Sequence, residues 1–177
     1  MGKILVVVDM QNDFISGSLG SERGKEIVSR VAEKIKQYQQ GEYPVIFTRD
    51  THKPNYLETL EGKNLPVTHC IENTDGWQIE SSLQALIRDN DIIIDKPTFG
   101  SITLGEVIAD FAGQDKELEV ELIGLCTDIC VVSNALLIKA NIPEHNVIVD
   151  SNCCGGVTKE SHEAALTTMK MCQIQVI

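Results

Sequence analysis

No apolar run in this 177-residue chain is long enough to cross a bilayer, so a helical membrane protein is excluded. The opening residues Met1-Gly2-Lys3-Ile4-Leu5 lack the length and the small-residue cleavage site of a signal peptide. The expected address is therefore the cytoplasm. Basic charge is scarce: 15 Lys and Arg stand against 26 Asp and Glu, a formal charge of −11. Such a surface repels phosphate backbones and anionic lipid, and neither nucleic acid nor membrane is expected as a partner. Aromatic residues make up only 5% of the chain. No Cys-x-x-Cys occurs among the six cysteines, which argues against thioredoxin-like chemistry. No repeat, low-complexity tract or linker divides the chain, and one domain over residues 1–177 is expected.

What is present is ordinary globular material, 42% apolar and 23% charged, sufficient for one substantial core. In a cytosolic chain of this composition the six cysteines are read as free thiols; adjacent Cys153 and Cys154 would close a strained ring. Short runs rich in Val and Ile recur at Ile4–Val8, Val45–Thr48, Ile92–Ile94, Val120–Ile123, Val147–Val149 and Ile174–Ile177. They are continuous rather than alternating, the pattern of strands buried on both faces. Between them, 26–39, 101–111, 128–139 and 159–171 carry apolar residues at helical spacing. The alternation predicts a doubly wound α/β protein with a mostly parallel sheet. Only the stretch from Asp50 to about Gly76, broken by Pro54, Gly62 and Pro66, has little period, and a long irregular loop in a compact domain is usually functional.

Ligands of such sheets bind beyond the carboxyl ends of the strands. Asp9 ends the first apolar run, Asp50 follows the second, Lys96 the third, and Cys126 and Cys130 the fourth. A cysteine on an apolar helix is often core packing. A cap from Thr127 or Asp128, however, would put Cys130 in a helix's first turn, where the dipole lowers a thiol pKa. First-turn amides would also face a developing oxyanion, each donor worth about 3 kcal/mol in the transition state. Asp9 fits a turn former, and it equally fits a general base whose basicity burial raises. Lys96 would hold Asp9 ionised and stabilise charge near the thiolate.

Asp50 and His52 alternate, so in extended backbone their side chains share a face. With His69 they would offer one carboxylate and two imidazoles, a set suited to Zn²⁺, Fe²⁺ or Mn²⁺. A lone Asp-x-His is also the pattern of a turn with a surface histidine.

These pieces together resemble the isochorismatase-like cysteine hydrolases over essentially the whole chain. The matching segments are Val8-Asp9-Met10-Gln11-Asn12-Asp13-Phe14, Thr48-Arg49-Asp50-Thr51-His52, Pro66-Val67-Thr68-His69-Cys70, Asp95-Lys96-Pro97 and Gly124-Leu125-Cys126-Thr127-Asp128-Ile129-Cys130-Val131. The resemblance implies a six-stranded, mostly parallel sheet flanked by helices, a catalytic triad of Asp9, Lys96 and Cys130, a cis peptide at Leu125–Cys126, and an oxyanion hole from the amides of Cys126 and Cys130. It also implies a homodimer or homotetramer. The Asp-x-His and His-Cys pattern looks like the nicotinamidases, with a divalent metal on Asp50, His52 and His69, and Glu61 the nearest candidate for a further ligand. Two departures stand out: Leu65-Pro66-Val67 replaces the aromatic that often precedes the second ligand histidine, and the loop is compact. Phe14, Phe99 and Gln11 are the candidate pocket residues. The expected activity is hydrolysis of a small carboxamide, nicotinamide first. The alternatives are a metal-free amidase acting on an N-carbamoyl compound, an isochorismatase, and a non-enzymatic binding protein.

Overall fold

The computed structural model describes residues 2–177. Six strands, β1 (Lys3–Val8), β2 (Val45–Asp50), β3 (Ile92–Lys96), β4 (Glu119–Leu125), β5 (Asn146–Gly155) and β6 (Gln175–Val176), form one sheet in the order β3-β2-β1-β4-β5-β6. Every pairing is parallel. Each predicted run lies within or beside a strand, and the prediction of a mostly parallel sheet becomes a wholly parallel one.

Four long helices complete the layers: α1 (Glu22–Gln40), α2 (Ile102–Gln114), α3 (Val132–Asn141) and α4 (Lys159–Met171). Side chains alternate across β1, so Ile4, Val6 and Val8 join Leu104 and Ile108 of α2, Ile138 of α3 and Met169 of α4 in one core. Leu5 and Val7 point the other way, onto Ile27, Val31, Ile35 and Tyr38 of α1. Burying each such side chain contributes about 1.5–3 kcal/mol, and the two cores lock the sheet between helical layers. Helix α1 begins earlier than the predicted 26, because the Ser21 hydroxyl accepts from Gly24 N at 3.0 Å and caps it. No helix among the described residues is long and apolar enough to cross a membrane.

Strand β5 is longer than its apolar run. Polar Asp150, Ser151 and Asn152 lie within it, where the β4–β5 register shifts between Leu122 and Gly124. Helix α1 satisfies this segment: Arg23 donates to the carbonyls of Cys154 and Ser151, Arg30 to that of Asn152, and Lys34 pairs with Asp150. These bonds are tertiary, so no local pattern announces the extra strand residues.

The chain reverses its direction of travel across the sheet between β1 and β4, which opens a crevice at their carboxyl ends. The two strands approach closely there. Gly124 has φ +119°, and a Cβ on it would sit 2.1 Å from the Val8 carbonyl oxygen, so only glycine fits.

Candidate active site

Asp9 leaves β1 in the left-handed region, φ 47°, held by its own N–H donating to Thr48 O and by Gln11 N donating to its carbonyl. That turn aims its fully buried carboxylate across the crevice. Oδ1 accepts from the Thr48 hydroxyl at 2.6 Å, and Oδ2 stands 2.6 Å from Lys96 Nζ. The second contact is an ion pair off the hydrogen-bonding direction, which leaves Oδ2 with a free acceptor site. Lys96, at the end of β3 and only 1% exposed, also lies 3.5 Å from Cys130 Sγ and 3.6 Å from Asp50 Oδ1. The three predicted catalytic side chains therefore meet, although β3 and β4 are not neighbours in the sheet.

The electrostatics of the pair are uneven. Burial raises the Asp9 carboxyl above its ordinary range, and the charge of Lys96 only partly offsets it. Burial acts to lower Lys96, but Asp9, the Cys130 thiol and Asp50 outweigh it and hold the ammonium protonated. One cation serves several acidic groups, so the lysine keeps its charge while the aspartate gains proton affinity.

The turn carrying Cys130 departs from expectation. Thr127 and Asp128 do not cap it; Cys126 holds the N-cap position, with no side-chain hydrogen bond. Val131 N donates to Cys126 O at 3.0 Å, closing a π-helical turn over Thr127–Val131 that leads into α3. Thr127 and Asp128 turn instead to the start of α4, where they meet His162 and Ser161. Cys130 keeps its first-turn place, but the expected depression of its pKa is reversed: burial and the Asp9 carboxylate push the thiol well above its usual range, with Lys96 opposing. Cys130 and Asp9 are thus a buried thiol and a buried carboxyl, both of raised proton affinity, on either side of the Lys96 ammonium. Cys126, on the cis Leu125–Cys126 peptide, is likewise pushed up, to about 12, by burial and by Asp128. All six cysteines are free, as read from the sequence.

Asp50, His52, Glu61 and His69 gather beside this group, with ligand atoms within 4.8 Å of one another. A parallel bridge between His52 and Ile71, formed by His52 N donating to Cys70 O and Glu72 N donating to His52 O, draws the loop's far end back to β2. His69 thereby reaches His52. Glu61, on the short helix Leu60–Asn64, supplies the second carboxylate. The fit to a divalent ion rests on two observations. Buried His52 Nε2 has no hydrogen-bond partner, although it lies 3.0 Å from Asp50 Oδ2. His69 Nδ1 is committed to the Val67 carbonyl at 2.7 Å, which turns Nε2 toward the carboxylates. Donors around one such ion stand about 3–4 Å apart, close to the spacing present. Burial works against the charge of Asp50, but the close approach of both imidazoles and the charge of Lys96 prevail and hold its carboxyl well below the usual range. Asp50 joins the two groups, one oxygen facing Lys96 and the other the imidazoles.

A cavity of about 420 Å³ opens over Cys126 and Cys130, with Asp50, Glu61 and His69 on one side and Phe14, Phe99, Ile129 and Val157 around it. Of the candidate pocket residues, Phe14 and Phe99 line this cavity, as does Leu65. Gln11 does not line the cavity. It is fully buried behind Asp50, accepting from Asp50 N and donating to the carbonyls of Asp50 and Trp77. Thr48 and Tyr56 escaped sequence reasoning. Tyr56 packs its ring 4.6 Å from His52 and 4.9 Å from His69, and only the three-dimensional closure of the loop puts it there.

Fold and site together define a class, a three-layer α/β protein whose switch point carries a buried thiol, a proton acceptor and a fixed cation, as thiol-based hydrolysis requires. The isochorismatase domain model matches residues 3–177, and the chain belongs to that family. It is 27% identical over 199 residues to a nicotinamidase of Escherichia coli, covering 96% of this chain and 90% of that one. To a nicotinamidase of Saccharomyces cerevisiae it is 27% identical over 176 residues, with 76% and 80% covered. The crystal structure of a pyrazinamidase of Pyrococcus horikoshii in complex with zinc superposes with a TM-score of 0.83 at 25% identity, over 100% of this chain and 99% of that one.

Proposed function

We propose that this protein is a cysteine-dependent amide hydrolase that converts nicotinamide to nicotinate and ammonia. The observation that carries the reading is one cavity lined both by Cys130 and by Asp50, Glu61 and His69, three of the four residues of the metal-type set. A carboxamide reaching the thiol can thus present a ring nitrogen to the metal-type ligands, between Phe14 and Phe99. Relatives named nicotinamidase in two organisms support the choice of amide.

Oδ2 of Asp9 takes the Cys130 thiol proton as sulfur bonds to the carboxamide carbon. Lys96, 3.5 Å from the sulfur, stabilises the negative charge as it forms. The amides of Cys126 and Cys130 receive the oxyanion. Collapse of the tetrahedral adduct breaks the C–N bond, and the proton held by Asp9 leaves with the nitrogen as ammonia. Water then attacks the thioester, giving its proton to Asp9; the C–S bond breaks, the carboxylic acid departs, and the thiol is restored. Asp50, His52, Glu61 and His69 would hold a Zn²⁺, Fe²⁺ or Mn²⁺ ion, which supplies a Lewis-acidic charge to orient the substrate ring. Residues 1–177 are read as one hydrolase domain of a cytoplasmic homo-oligomer, a state that light scattering reads directly.

The decisive experiment is ammonia release across a panel of small amides, with and without chelator, on wild type and Cys130→Ala. Nicotinamide should be the preferred substrate, and Cys130→Ala should be inactive yet folded. Retention of even a tenth of the wild-type rate by Cys130→Ala would refute the mechanism.

A further inference from the structure

A second cavity, about 530 Å³, lies beside the one over Cys130, with Arg23, Lys159 and His162 in its wall. The two share Ser21, at the start of α1, and Gly156 and Val157, the short segment after β5, so these residues form the boundary between them. The boundary is firmly held. Both oxygens of Asp128 accept from Val157 N, at 3.1 and 3.2 Å, and the same carboxylate accepts from the Ser161 hydroxyl. Behind it, a Cβ on Gly156 would stand 2.8 Å from His162 Cβ and 3.0 Å from its Cα, so the backbone is pressed against α4. Asp128 lies two residues before Cys130 in the nucleophile's own turn, and its neighbour Thr127 meets His162 Nδ1 at 2.8 Å. The boundary and the thiol are therefore placed by one set of bonds. Val157 is 63% exposed, so shortening its side chain alters the cavity without cutting into the core.

We propose that Val157, pinned by Asp128, is the wall that sets the size of acyl group the Cys130 thiol accepts, and that Asp128 is a positioning residue acting through it. The proposal rests on the amide-hydrolase reading for its substrate class. Beyond the wall lies open space rather than packed protein, so removing the wall enlarges the site. One methylene in an apolar pocket changes discrimination by about 10–200-fold, and Val157→Ala removes two carbons.

The test compares Val157→Ala, Asp128→Asn and, as a remote surface control, Met171→Ala with wild type. Two ratios are read. One is kcat/KM for quinoline-3-carboxamide relative to nicotinamide. The other is the rate of Cys130 alkylation by N-(1-naphthyl)iodoacetamide relative to iodoacetamide, followed by peptide mass so that Cys126 adducts are counted apart. Val157→Ala should raise both bulky-to-small ratios by about tenfold or more. Asp128→Asn should move them the same way by less, chiefly through KM for the bulky amide, and Met171→Ala should leave them unchanged. Should Asp128→Asn fail to fold, Ser161→Ala loosens the same carboxylate and should shift the ratios in the same direction. An unchanged alkylation ratio in folded Val157→Ala overturns the wall, and unchanged ratios in folded Asp128→Asn overturn the positioning role. A raised alkylation ratio in a protein that cannot hydrolyse nicotinamide supports the wall and refutes the nicotinamidase reading instead.

Discussion

Replacing Lys96 by methionine removes one charge while nearly keeping the side chain's length, and the structure allows its cost to be worked out. Lys96 is 1% exposed, and its ammonium lies 2.6 Å from Asp9 and 3.6 Å from Asp50. At an effective dielectric of 20, the first contact alone is a Coulomb attraction of about 6 kcal/mol. Desolvation cancels part of this, and breaking a buried pair by removing one partner typically costs about 3–5 kcal/mol. For a domain of this size each kcal/mol lowers Tm by about 2–4 °C, so a fall of roughly 6–20 °C is expected. Ammonia release should fall by at least about a hundredfold, because Cys130 loses the cation that stabilises its thiolate. The double variant Asp9→Asn/Lys96→Met no longer buries an unpaired carboxylate at that position. It should be less destabilised than the sum of the single variants, by about 0.5–3 kcal/mol, while remaining inactive. Thermal and urea unfolding of the four proteins supply the cycle. A Lys96→Met protein that melts within 2 °C of wild type, or a strictly additive double variant, would refute the ion-pair account.

Three further outcomes are expected. Gln11→Leu strands the Asp50 N–H and the Asp50 and Trp77 carbonyls, each unsatisfied group costing about 1–3 kcal/mol, so both stability and retained metal should drop; a variant with full metal content by elemental analysis would remove Gln11 from the support of the site. Glu61→Gln should hold less metal after dialysis than wild type, and His52→Ala less still; equal metal in all three would show that these residues are not ligands. Away from the site, burial opposes the charge of Asp150 but Lys34 outweighs it and lowers its pKa, so its contribution to stability is full above the ordinary carboxylate range near ~4 and is lost as pH falls through the folded value. Asp150→Asn should accordingly melt below wild type at pH 6, with the gap closing as pH drops below ~4; a gap that does not depend on pH would refute the assignment.

Much of this molecule could be read from residue order alone, because the information was local. Continuous runs such as Ile4–Val8 bury both faces of a strand, and helical spacing marked the helices; α4 matches its predicted bounds. Alternating strands and helices then imply which strand ends share an edge, and this is why Asp9, Lys96 and Cys130 could be grouped before any coordinates. The alternation of Asp50 and His52 likewise foretold a shared face, now seen as a 3.0 Å contact. Other features belong to the tertiary structure, because they depend on partners distant in the chain. Glu61 and Tyr56 reach the histidines only once the His52–Ile71 bridge closes the loop. Gln11 turns inward to hold Asp50 and not outward to substrate, since the buried polar groups of β2 must be satisfied. Thr127 and Asp128, which look like helix caps, are drawn to α4, and burial overrides the helix end in setting the Cys130 thiol's proton affinity. Periodicity reports what a residue does with its neighbours along the chain. Desolvation and cross-chain hydrogen bonds, which set the chemistry of this site, exist only after the chain has folded.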